Sequence, residues 1–438
     1  MKSLEDFISI HARHNPDKIA IIHDGDNVNY RQLWDCIIAK ADQFSLLGKR
    51  TVVVRASRSI SFLIDYFAVH LSGKVIVPLE NDAKDDYIAS ITDLVENSNI
   101  PEDVTDILFT TGTTGHQKGA MLSGRSIMSS ADNLIDAHGY NEGLTFIING
   151  PLNHIGSLSK VWSSIVVGAC IEIIDGIKDL NALFGAIASA ADKVATFLVP
   201  ASIRMVLQFG RRQLEEVNEK IDFIETGAAP ISQSDMEDLC LALPNSRLYN
   251  TYASTETGII SSHDYNNDCR IAGCLGRMMK HSVLNIGTDG LINCSGPTIM
   301  SGYVSDEQLT RQVLRDGVVY TNDKGRIDED GRLHLIGREG DIINIGGYKV
   351  NPVEVEGAAN SYPGVVDCIC IKDAHPVLGY VLRLLVVMED GAVLNKRSLA
   401  SHLMALLEQH KIPQMYSQVP SIERTYNGKV NRKFYNKT

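Results

Sequence analysis

A run of ten residues in the first third of the chain has the composition of an anion-binding loop. The run Thr110-Thr111-Gly112-Thr113-Thr114-Gly115-His116-Gln117-Lys118-Gly119 directly follows the strand-like segment Asp106–Phe109. Glycines let backbone N–H groups approach an anion closely, hydroxyls add neutral donors, and a lysine supplies the positive charge that a polyphosphate needs. The spacing is not that of a Walker A loop. A plain polar turn is the alternative, but four hydroxyls, three glycines and one lysine together favour a phosphate-binding loop.

Five further residues could take part in a site, although each has an ordinary structural explanation when taken alone. His154 is as compatible with a structural histidine as with a site residue. Tyr252 would be core packing, and Glu256, Asp323 and Arg338 would be solvated surface charges. Residues of these types do not define a site without the segments around them.

The elements that would position these residues alternate between helix and strand. The pattern predicts helices at 4–13, 29–46 and 59–71 and strands at 20–23, 51–55 and 74–79, with Asn29 as an N-cap. Strand, helix and strand with short connections are typical of a sheet with parallel members. Further strands are predicted at 106–110, 147–149, 169–174, 195–199 and 222–225. We therefore expect an α/β fold for this part of the chain.

The character of the sequence changes after about residue 270. Short β segments at 291–295 and 333–336 follow Asp289-Gly290 and Asp330-Gly331, which are dipeptides typical of antiparallel hairpins. Beyond these, Asn351-Pro352 begins a helix, strands are predicted at 365–371 and 381–388, and a helix is predicted at 399–410. We expect a large N-terminal domain at 1–339 and a small α+β domain at 340–438.

The composition limits the classes of protein to which the chain can belong. It has 438 residues, 44% of them hydrophobic and 21% charged, which excludes global disorder. Since 41 Lys+Arg face 53 Asp+Glu, the net charge is −12, and we expect no binding of nucleic acid or of an anionic membrane. No apolar run approaches the roughly 18 residues of a membrane span, and the N-terminus lacks the layout of a signal peptide.

The eight cysteines do not indicate a disulfide framework in a chain of this length. Cys269/Cys274 and Cys368/Cys370 are close pairs without a matching second pair for zinc, and the second pair alternates along a strand-like run. A soluble cytoplasmic enzyme is therefore expected.

The loop at 110–119 resembles the phosphate-binding loop of the adenylate-forming superfamily, which includes acyl- and aryl-CoA synthetases, peptide-synthetase adenylation domains and luciferases. The family pattern is roughly S/T-S-G-T-T-G-x-P-K-G, and Thr111 and Gln117 replace the usual Ser and Pro. The other family motifs follow in the right order, so the resemblance covers essentially the whole chain. By this resemblance, the loop residues that bind the nucleotide are Thr110, Thr111, Gly112, Thr113, Thr114, Gly115 and Lys118.

The resemblance also implies the fold. The superfamily has a large N-terminal domain of mixed βα sheets with a small β-barrel-like part, followed by a small mobile α+β C-terminal domain. The segment Glu80–Val104 is too short for the extra strand–helix units usually found there, so we expect a trimmed N-terminal subdomain.

Two segments in the middle of the chain resemble the acid-binding and adenine-binding parts of the family. His154, in Pro151–Gly156, resembles the histidine that lies beside the carboxylate substrate. Gly227 and Ala228 begin a Gly-Ala-Ala-Pro turn that resembles the one whose backbone passes the adenine. The resemblance assigns these residues to the site.

The segment Tyr252–Glu256 resembles the family pattern Y-G-x-T-E, with Ala253 in place of the usual Gly. In that pattern the tyrosine stacks on adenine, the threonine donates to the α-phosphate and the glutamate holds Mg²⁺. Those roles fall on Tyr252, Thr255 and Glu256, and they suit an aromatic face, a hydroxyl and a hard carboxylate oxygen.

Two charged residues resemble the ribose-binding pair of the family. Asp323 corresponds to the aspartate of Y-x-T-G-D that accepts both ribose hydroxyls, and Arg338 to an arginine that also contacts the ribose. Gly340 occupies the position about which the C-terminal domain rotates in this family. Glycine can adopt two distant backbone conformations with little strain, so we expect a hinge there, and a plain hairpin glycine is the alternative.

The last motifs lie in the C-terminal hundred residues. Gly346 and Gly347 begin a segment that resembles one seen especially in CoA ligases. Lys429, in Arg424–Arg432, resembles the lysine required for adenylation. A lysine brought to the carboxylate and the α-phosphate stabilises the charge that develops there.

The resemblance implies an ATP-dependent carboxylic acid–CoA ligase that uses ATP, Mg²⁺ and coenzyme A. One alternative is the same adenylation with a carrier-protein phosphopantetheine thiol as the acceptor, and another is a non-catalytic nucleotide-binding protein on this fold. An amino-acid adenylation domain is less consistent, because Pro151–Gly156 differs from the F-D-x-S segment of those domains. The sequence leaves the identity of the acid and the oligomeric state open.

Overall fold

Side-chain caps determine where the first helices begin. The computed structural model describes residues 2–111, 117–345, 348–375, 379–424 and 430–435. In it, the side chains of Ser3, Asn29 and Ser59 each accept a hydrogen bond from the third backbone N–H of the helix that follows. At Ser3 and Asn29 the third residue returns a bond to the cap, which makes a capping box. The prediction of Asn29 as an N-cap is confirmed.

The described part of the chain contains these helices: α1 (Leu4–His14), α2 (Tyr30–Ser45), α3 (Ile60–Leu71), α4 (Asp85–Glu96), α5 (Gly124–His138), α6 (Ile155–Val167), α7 (Leu180–Ser189), α8 (Pro200–Phe209), α9 (Arg211–Glu216), α10 (Gln233–Ala242), α11 (Glu307–Val313), α12 (Pro352–Asn360), α13 (Lys396–Leu406) and α14 (Arg432–Tyr435). Short 3₁₀ turns lie at Asn218–Lys220, Glu339–Asp341 and Gln409–Lys411. None of the helices found in the described ranges is long and apolar enough to cross a membrane.

The strands of the same residues are β1 (Ile19–His23), β2 (Asp26–Asn29), β3 (Thr51–Ala56), β4 (Val75–Glu80), β5 (Val104–Thr111), β6 (Gln117–Ser123), β7 (Leu144–Ile148), β8 (Cys170–Ile173), β9 (Lys193–Phe197), β10 (Ile221–Gly227), β11 (Arg247–Ser254), β12 (Gly258–Asp264), β13 (Cys274–Met278), β14 (Val283–Ile286), β15 (Leu291–Ser295), β16 (Gly302–Tyr303), β17 (Leu314–Arg315), β18 (Val318–Ile327), β19 (Leu333–Arg338), β20 (Ile343–Ile345), β21 (Tyr348–Val350), β22 (Val365–His375), β23 (Gly379–Met388) and β24 (Met415–Gln418).

The largest sheet runs in the order β14-β15-β18-β19-β13-β12-β11-β10-β9-β7-β8-β1-β2. Its members from β11 to β1 pair in parallel, as expected for strands joined by helices. Antiparallel strands extend this sheet beyond β11. The two predicted hairpins are confirmed, since β14 pairs antiparallel with β15 across Asp289-Gly290 and β18 with β19 across Asp330-Gly331.

A second sheet has the order β16-β6-β5-β4-β3. Strands β3, β4 and β5 are parallel, while β5 and β6 form an antiparallel pair on either side of the predicted phosphate loop. The segment Glu80–Val104 contains one helix, α4, between β4 and β5. A hydrophobic cluster that includes Val77, Ile91 and Ile107 joins this helix to the sheet.

Residues after 342 build a small α+β part with its own core. Buried side chains of Ile343, Val355, Cys368, Leu384 and Leu399 belong to one cluster. Helix α12 begins at Pro352 with Asn351 as its cap, as predicted. The helix predicted at 399–410 is displaced: α13 begins at Lys396 because Asn395 caps it, and it ends at Leu406. The predicted α/β fold, with a large N-terminal and a small C-terminal part, is confirmed, while the division at 339/340 stays a prediction.

Candidate active site

The sheet topology brings several predicted site residues to one edge. His154 is the N-cap residue of α6, shortly after β7, and Gly227 is the last residue of β10. Thr255 and Glu256 directly follow β11. Because β7, β9, β10 and β11 are parallel, these residues lie at the carboxyl edge of the sheet. Ligands of open α/β sheets bind outside that edge.

The turn at the end of β10 leaves little space for a side chain at its first residue, Gly227. A Cβ atom on Gly227 would lie 2.7 Å from the backbone oxygen of Thr251 on the neighbouring strand. Ala228 has a φ of 65°, in the left-handed region that non-glycine residues rarely adopt. The chain therefore makes a close turn in which Gly227 is buried and Ala228 is strained and exposed.

The turn after β11 is closed by reciprocal hydrogen bonds. The Ser254 N–H donates to Thr257 Oγ1, and the Thr257 N–H donates to Ser254 Oγ, each at 3.1 Å. Thr255 is buried within this turn. Glu256 Oε1 accepts a hydrogen bond from Tyr303 Oη at 2.8 Å, which orients the carboxylate.

Tyr303 links the glutamate to the phosphate loop. Strand β16, which carries Tyr303, pairs with β6, and Lys118 Nζ lies 5.7 Å from the centre of the Tyr303 ring. Burial and the charge of Glu256 raise the pKa of Tyr303 well above its ordinary value, so its hydroxyl remains a donor. Our sequence reasoning missed Tyr303, because a tyrosine on a two-residue strand carries no pattern of its own.

The loop between β5 and β6 is only partly described. Thr110 Oγ1 lies 3.5 Å from the backbone oxygen of Lys118, and Thr111 pairs with Gln117 through the backbone. The predicted residues Gly112, Thr113, Thr114 and Gly115 lie outside the described residues.

The predicted adenine and ribose residues are in mutual contact. Tyr252 Oη donates to Asp323 Oδ2 at 2.9 Å. Asp323 on β18 is in register with Arg338 on β19, and Arg338 Nε is 3.5 Å from Asp323 Oδ1. The Tyr252 side chain is 7% exposed, and burial together with the charge of Asp323 raises its pKa well above the ordinary value. The structure thus brings together three residues that are far apart in the sequence.

A small cavity opens beside the first turn of α6. Phe146, Asn149, Ser157, Lys160 and Phe197 contribute to its lining, and its volume of about 10 Å³ has room for one water-sized group. Asn149 Nδ2 donates to Thr196 Oγ1 and to the backbone oxygen of Phe197, which ties the ends of β7 and β9 together. The cavity therefore lies at the same carboxyl edge as the residues above.

Lys160 belongs to a buried charge cluster that sequence reasoning also missed. Its Nζ donates to Glu225 Oε1 at 2.7 Å, and Glu225 Oε2 lies 3.6 Å from His138 Nδ1. His138 stacks on Tyr249 with ring centres 3.9 Å apart. Burial, and then the charges of Lys160 and Arg247, lower the pKa of His138 well below its ordinary value. The sequence did offer a signal for this cluster. Lys160 is a charged residue within the apolar helix α6, and Glu225 is one within the apolar strand β10.

The C-terminal candidates are described only in part. Gly346, Gly347 and Lys429 lie outside the described residues. Gly340 is in the 3₁₀ turn after β19, and a Cβ atom there would meet open space. Arg204 on α8 contacts the C-terminal part, since its Nη1 donates to the backbone oxygen of Val366 at 3.1 Å.

Comparison with known proteins places these features in a family context. The family model "AMP-binding enzyme" matches residues 82–304, and the model "AMP-binding enzyme C-terminal domain" matches residues 354–429. Indoleacetate–CoA ligase of Aromatoleum aromaticum is 29% identical over 74% of this chain and 65% of its own length. The chain therefore spans less than two thirds of that relative. Probable CoA ligase CCL5 of Humulus lupulus is 24% identical over 98% of this chain and 91% of its own length.

Solved structures share the fold over nearly the whole chain. ATP-bound MatB from Rhodopseudomonas palustris has a TM-score of 0.87 at 23% identity, covering 99% of this chain and 98% of MatB. The o-succinylbenzoate CoA synthetase MenE of Bacillus subtilis, in complex with an acyl-adenylate, has a TM-score of 0.84 at 19% identity, covering 99% of this chain and 98% of MenE.

Proposed function

The chain belongs to the AMP-binding enzyme family, and from that premise we propose that it is an ATP-dependent carboxylic acid–CoA ligase. The observation that carries the proposal is the meeting of Lys118, Tyr303 and Glu256 at one side of the sheet edge. Tyr252, Asp323 and Arg338 form a second connected group. The first group suits a polyphosphate, and the second suits a nucleoside.

In the proposed first half-reaction, a carboxylate oxygen forms a bond to the α-phosphorus of ATP, and the bond to pyrophosphate breaks. Lys118 and the hydroxyls of Thr110 and Thr255 would hold the phosphate oxygens, and His154 would lie beside the acid. Catalysis of attack at phosphorus depends mainly on positioning and on charge stabilisation. Lys429 is the proposed cation at the reacting carboxylate.

The residues present fit a bound Mg²⁺. Glu256 offers a hard carboxylate oxygen, and among the described residues only its Oε1 accepts a hydrogen bond, from Tyr303. Mg²⁺ is usually held by one or two carboxylates together with substrate phosphates. When bound, the ion would supply charge neutralisation for the phosphates, while Tyr303 fixes the rotamer of Glu256.

The nucleoside would lie against the second group. We propose that Tyr252 and the backbone of Gly227 and Ala228 contact the adenine, and that Asp323 accepts the ribose hydroxyls with Arg338 beside it. The hydrogen bond from Tyr252 to Asp323 supports this arrangement, because it couples the base-side residue to the sugar-side residue.

In the proposed second half-reaction, the CoA thiol forms a bond to the acyl carbonyl carbon and AMP leaves. The unit at 340–438 would rotate about Gly340, withdrawing Lys429 and bringing Gly346 and Gly347 to the CoA. The names of the relatives favour CoA over a carrier-protein thiol. A cytoplasmic location is part of the same proposal.

Exchange of pyrophosphate with ATP tests the function. The purified chain is assayed without added acid and then with pools of short-chain, long-chain and aromatic acids. At least one pool is expected to support exchange, followed by thioester formation when CoA is added. A folded protein that binds ATP but supports exchange with no pool would contradict the ligase and favour the non-catalytic alternative.

The role of Lys429 separates the two half-reactions. Lys429→Ala should reduce exchange by about 10²–10³, the effect of losing one key transition-state donor. Transfer from supplied acyl-adenylate to CoA should be nearly unchanged. Lys396→Ala, an exposed lysine of the same part of the chain, is the matched control, and equal losses in both half-reactions would remove the proposed rotation.

A further inference from the structure

The buried ion pair beside the cavity has unfilled hydrogen-bonding capacity. Lys160 and Glu225 are each 1% exposed. An ammonium has three N–H donors, yet within the described ranges Lys160 Nζ has one hydrogen-bond partner, Glu225 Oε1. Glu225 Oε2 accepts no hydrogen bond from these residues. Glu225 Oε2 faces His138 Nδ1 at 3.6 Å, so the unfilled capacity is mainly that of the Lys160 ammonium. Buried polar groups rarely leave such capacity open.

Stability alone does not account for the pair. Two charges removed from water cost more than a well-packed apolar pair of the same volume in many proteins. The surroundings of Lys160 are suited to apolar packing, since Val161, Trp162 and Ile165 of the same helix are fully buried. The ion pair is therefore better explained by a ligand than by the packing of the core.

The position of Lys160 defines what kind of group would reach it. Lys160 lines the cavity together with Gly156 and Ser157, and His154 is the N-cap of the same helix. Lys160 lies six positions after His154, which corresponds to about 9 Å along the axis of a helix. An acid whose carboxylate lies near His154 would place the far end of a short chain or of one ring near Lys160.

The charge balance limits the chemistry of that far end. Lys160 and Glu225 together are neutral, so a second carboxylate would leave an excess negative charge in a buried site, and an ammonium group would leave an excess positive one. A hydroxyl or carbonyl oxygen accepts a hydrogen bond from the ammonium without adding charge.

We propose that Lys160 and Glu225 select carboxylic acids that carry a neutral oxygen, hydroxyl or carbonyl, at the end away from the reacting carboxylate. This inference rests on the proposed ligase function. The cavity has room for that oxygen alone, so the carbon skeleton would lie between the cavity and His154.

Matched acids test the proposal in the unmodified enzyme. Hexanoate, 6-hydroxyhexanoate and adipate form one series, and benzoate, 4-hydroxybenzoate and terephthalate form another. In at least one series the hydroxy acid should exceed the unsubstituted acid in kcat/KM of pyrophosphate exchange by about tenfold to a hundredfold, the effect of one hydrogen bond to a charged group. Equal use of all three acids, or a preference for the diacid, would overturn the proposal.

Two variants identify the residues responsible. Lys160→Met with Glu225→Leu replaces the pair by apolar groups, so the preference should pass to the unsubstituted acid while the KM for ATP stays within a few-fold. Glu225→Gln keeps the shape but leaves Lys160 uncompensated, so the diacid should become the preferred substrate. Arg212→Ala with Glu216→Ala removes an exposed ion pair and is the control.

The outcomes separate this proposal from the function on which it rests. If no acid supports exchange, the ligase function itself fails. If exchange occurs but both variants keep the wild-type order of acids, the ligase stands and the role of the pair is overturned. Should the double variant not fold, the isosteric Glu225→Gln and the wild-type profile still decide.

Discussion

Two buried charge clusters in this molecule contain similar groups and behave in opposite ways. The first, the His70 cluster, consists of His70, Asp106 and Glu5 and lies among α1, α3 and β5. The second, the Lys160 cluster, consists of Lys160, Glu225 and His138 beside the cavity. Each has a histidine, and the side chains of each are at most 8% exposed.

The His70 cluster is closed. Asp106 accepts hydrogen bonds from Tyr66 Oη at 2.6 Å and from Thr105 Oγ1 at 2.8 Å, and lies 3.0 Å from His70 Nε2. Burial alone would lower the pKa of His70, but the charge of Asp106 and hydrogen bonds to Asp106 and Glu5 raise it to about 10. Two carboxylates therefore share one cation, and each accepts at least one hydrogen bond from the described residues. His70 Nε2 faces Asp106 as an ion pair rather than as a well-aligned hydrogen bond.

The Lys160 cluster is open. The Glu225 carboxylate lies between Lys160 and His138. Burial lowers the pKa of Lys160, although the charge of Glu225 opposes this change. Burial and neighbouring positive charge also lower the pKa of His138. Burial alone therefore does not distinguish the closed cluster from the open one. The clusters differ in the hydrogen bonds that Asp106 and Glu225 accept and in the cavity that Lys160 lines.

The largest loss of stability is expected when His70, the cation shared by Asp106 and Glu5, is removed. His70→Ala leaves two buried carboxylates without their partner and should lower the free energy of unfolding by about 3–5 kcal/mol. Urea unfolding measures this loss, and the acid preference of the remaining folded enzyme should be unchanged. A loss under about 1 kcal/mol would show that the His70 cluster is not a closed charged unit.

A smaller difference is expected between two buried tyrosines. Tyr66 Oη donates to Asp106 and accepts from Trp162 Nε1 at 2.9 Å, so Tyr66→Phe should cost about 1–3 kcal/mol. Tyr140 is buried near the Lys160 cluster, and its hydroxyl has no hydrogen-bond partner among the described residues. Tyr140→Phe should therefore be neutral or slightly stabilising in the same unfolding measurement. Equal losses in the free energy of unfolding for Tyr66→Phe and Tyr140→Phe would contradict the distinction between the closed and the open cluster.

The two histidines should give opposite dependences of stability on pH. Folding raises the pKa of His70 to about 10, so its contribution is complete below about pH 6.5 and is lost as the pH rises towards 10. Folding lowers the pKa of His138, so its contribution is complete above about pH 6.5 and is lost as the pH falls.

Each of these protons contributes a slope of about 1.4 kcal/mol per pH unit. Unfolding of wild type, His70→Gln and His138→Gln is measured across the pH range. The first variant should lose slope on the alkaline side and the second on the acid side. Unchanged slopes at both ends would contradict the assigned protonation states.

The smallest change in the free energy of unfolding is expected at an exposed ion pair. It is the reference with which the losses at the two buried clusters are compared. Arg212 and Glu216 lie one helical turn apart with side chains 91% and 58% exposed. Arg212→Ala should change the free energy of unfolding by no more than about 0.5 kcal/mol. A larger loss would mean that charge effects in this chain do not follow burial.

Much of the local structure could be predicted, because its causes act over a few residues. Asn29 and Asn351 cap the predicted helices, and the Asp-Gly dipeptides make the predicted hairpins. The helix end at Leu406 was placed wrongly, since periodicity continues past the point where the backbone becomes extended.

The sequence by itself indicated the family, many of the helices and strands, and the residue types of the proposed nucleotide site, because a loop or a cap carries its chemistry within a short segment. Tertiary structure decided which distant residues meet. Tyr252 and Asp323 are 71 residues apart, Lys160 and Glu225 are 65 apart, and Tyr303 and Glu256 are 47 apart. Likewise, Cys269 and Cys274 have no second pair in the sequence, but folding brings His263 to them, with ligand atoms within 4.8 Å of one another. Such contacts depend on the order and register of the strands, because these decide which residues from distant parts of the sequence become neighbours.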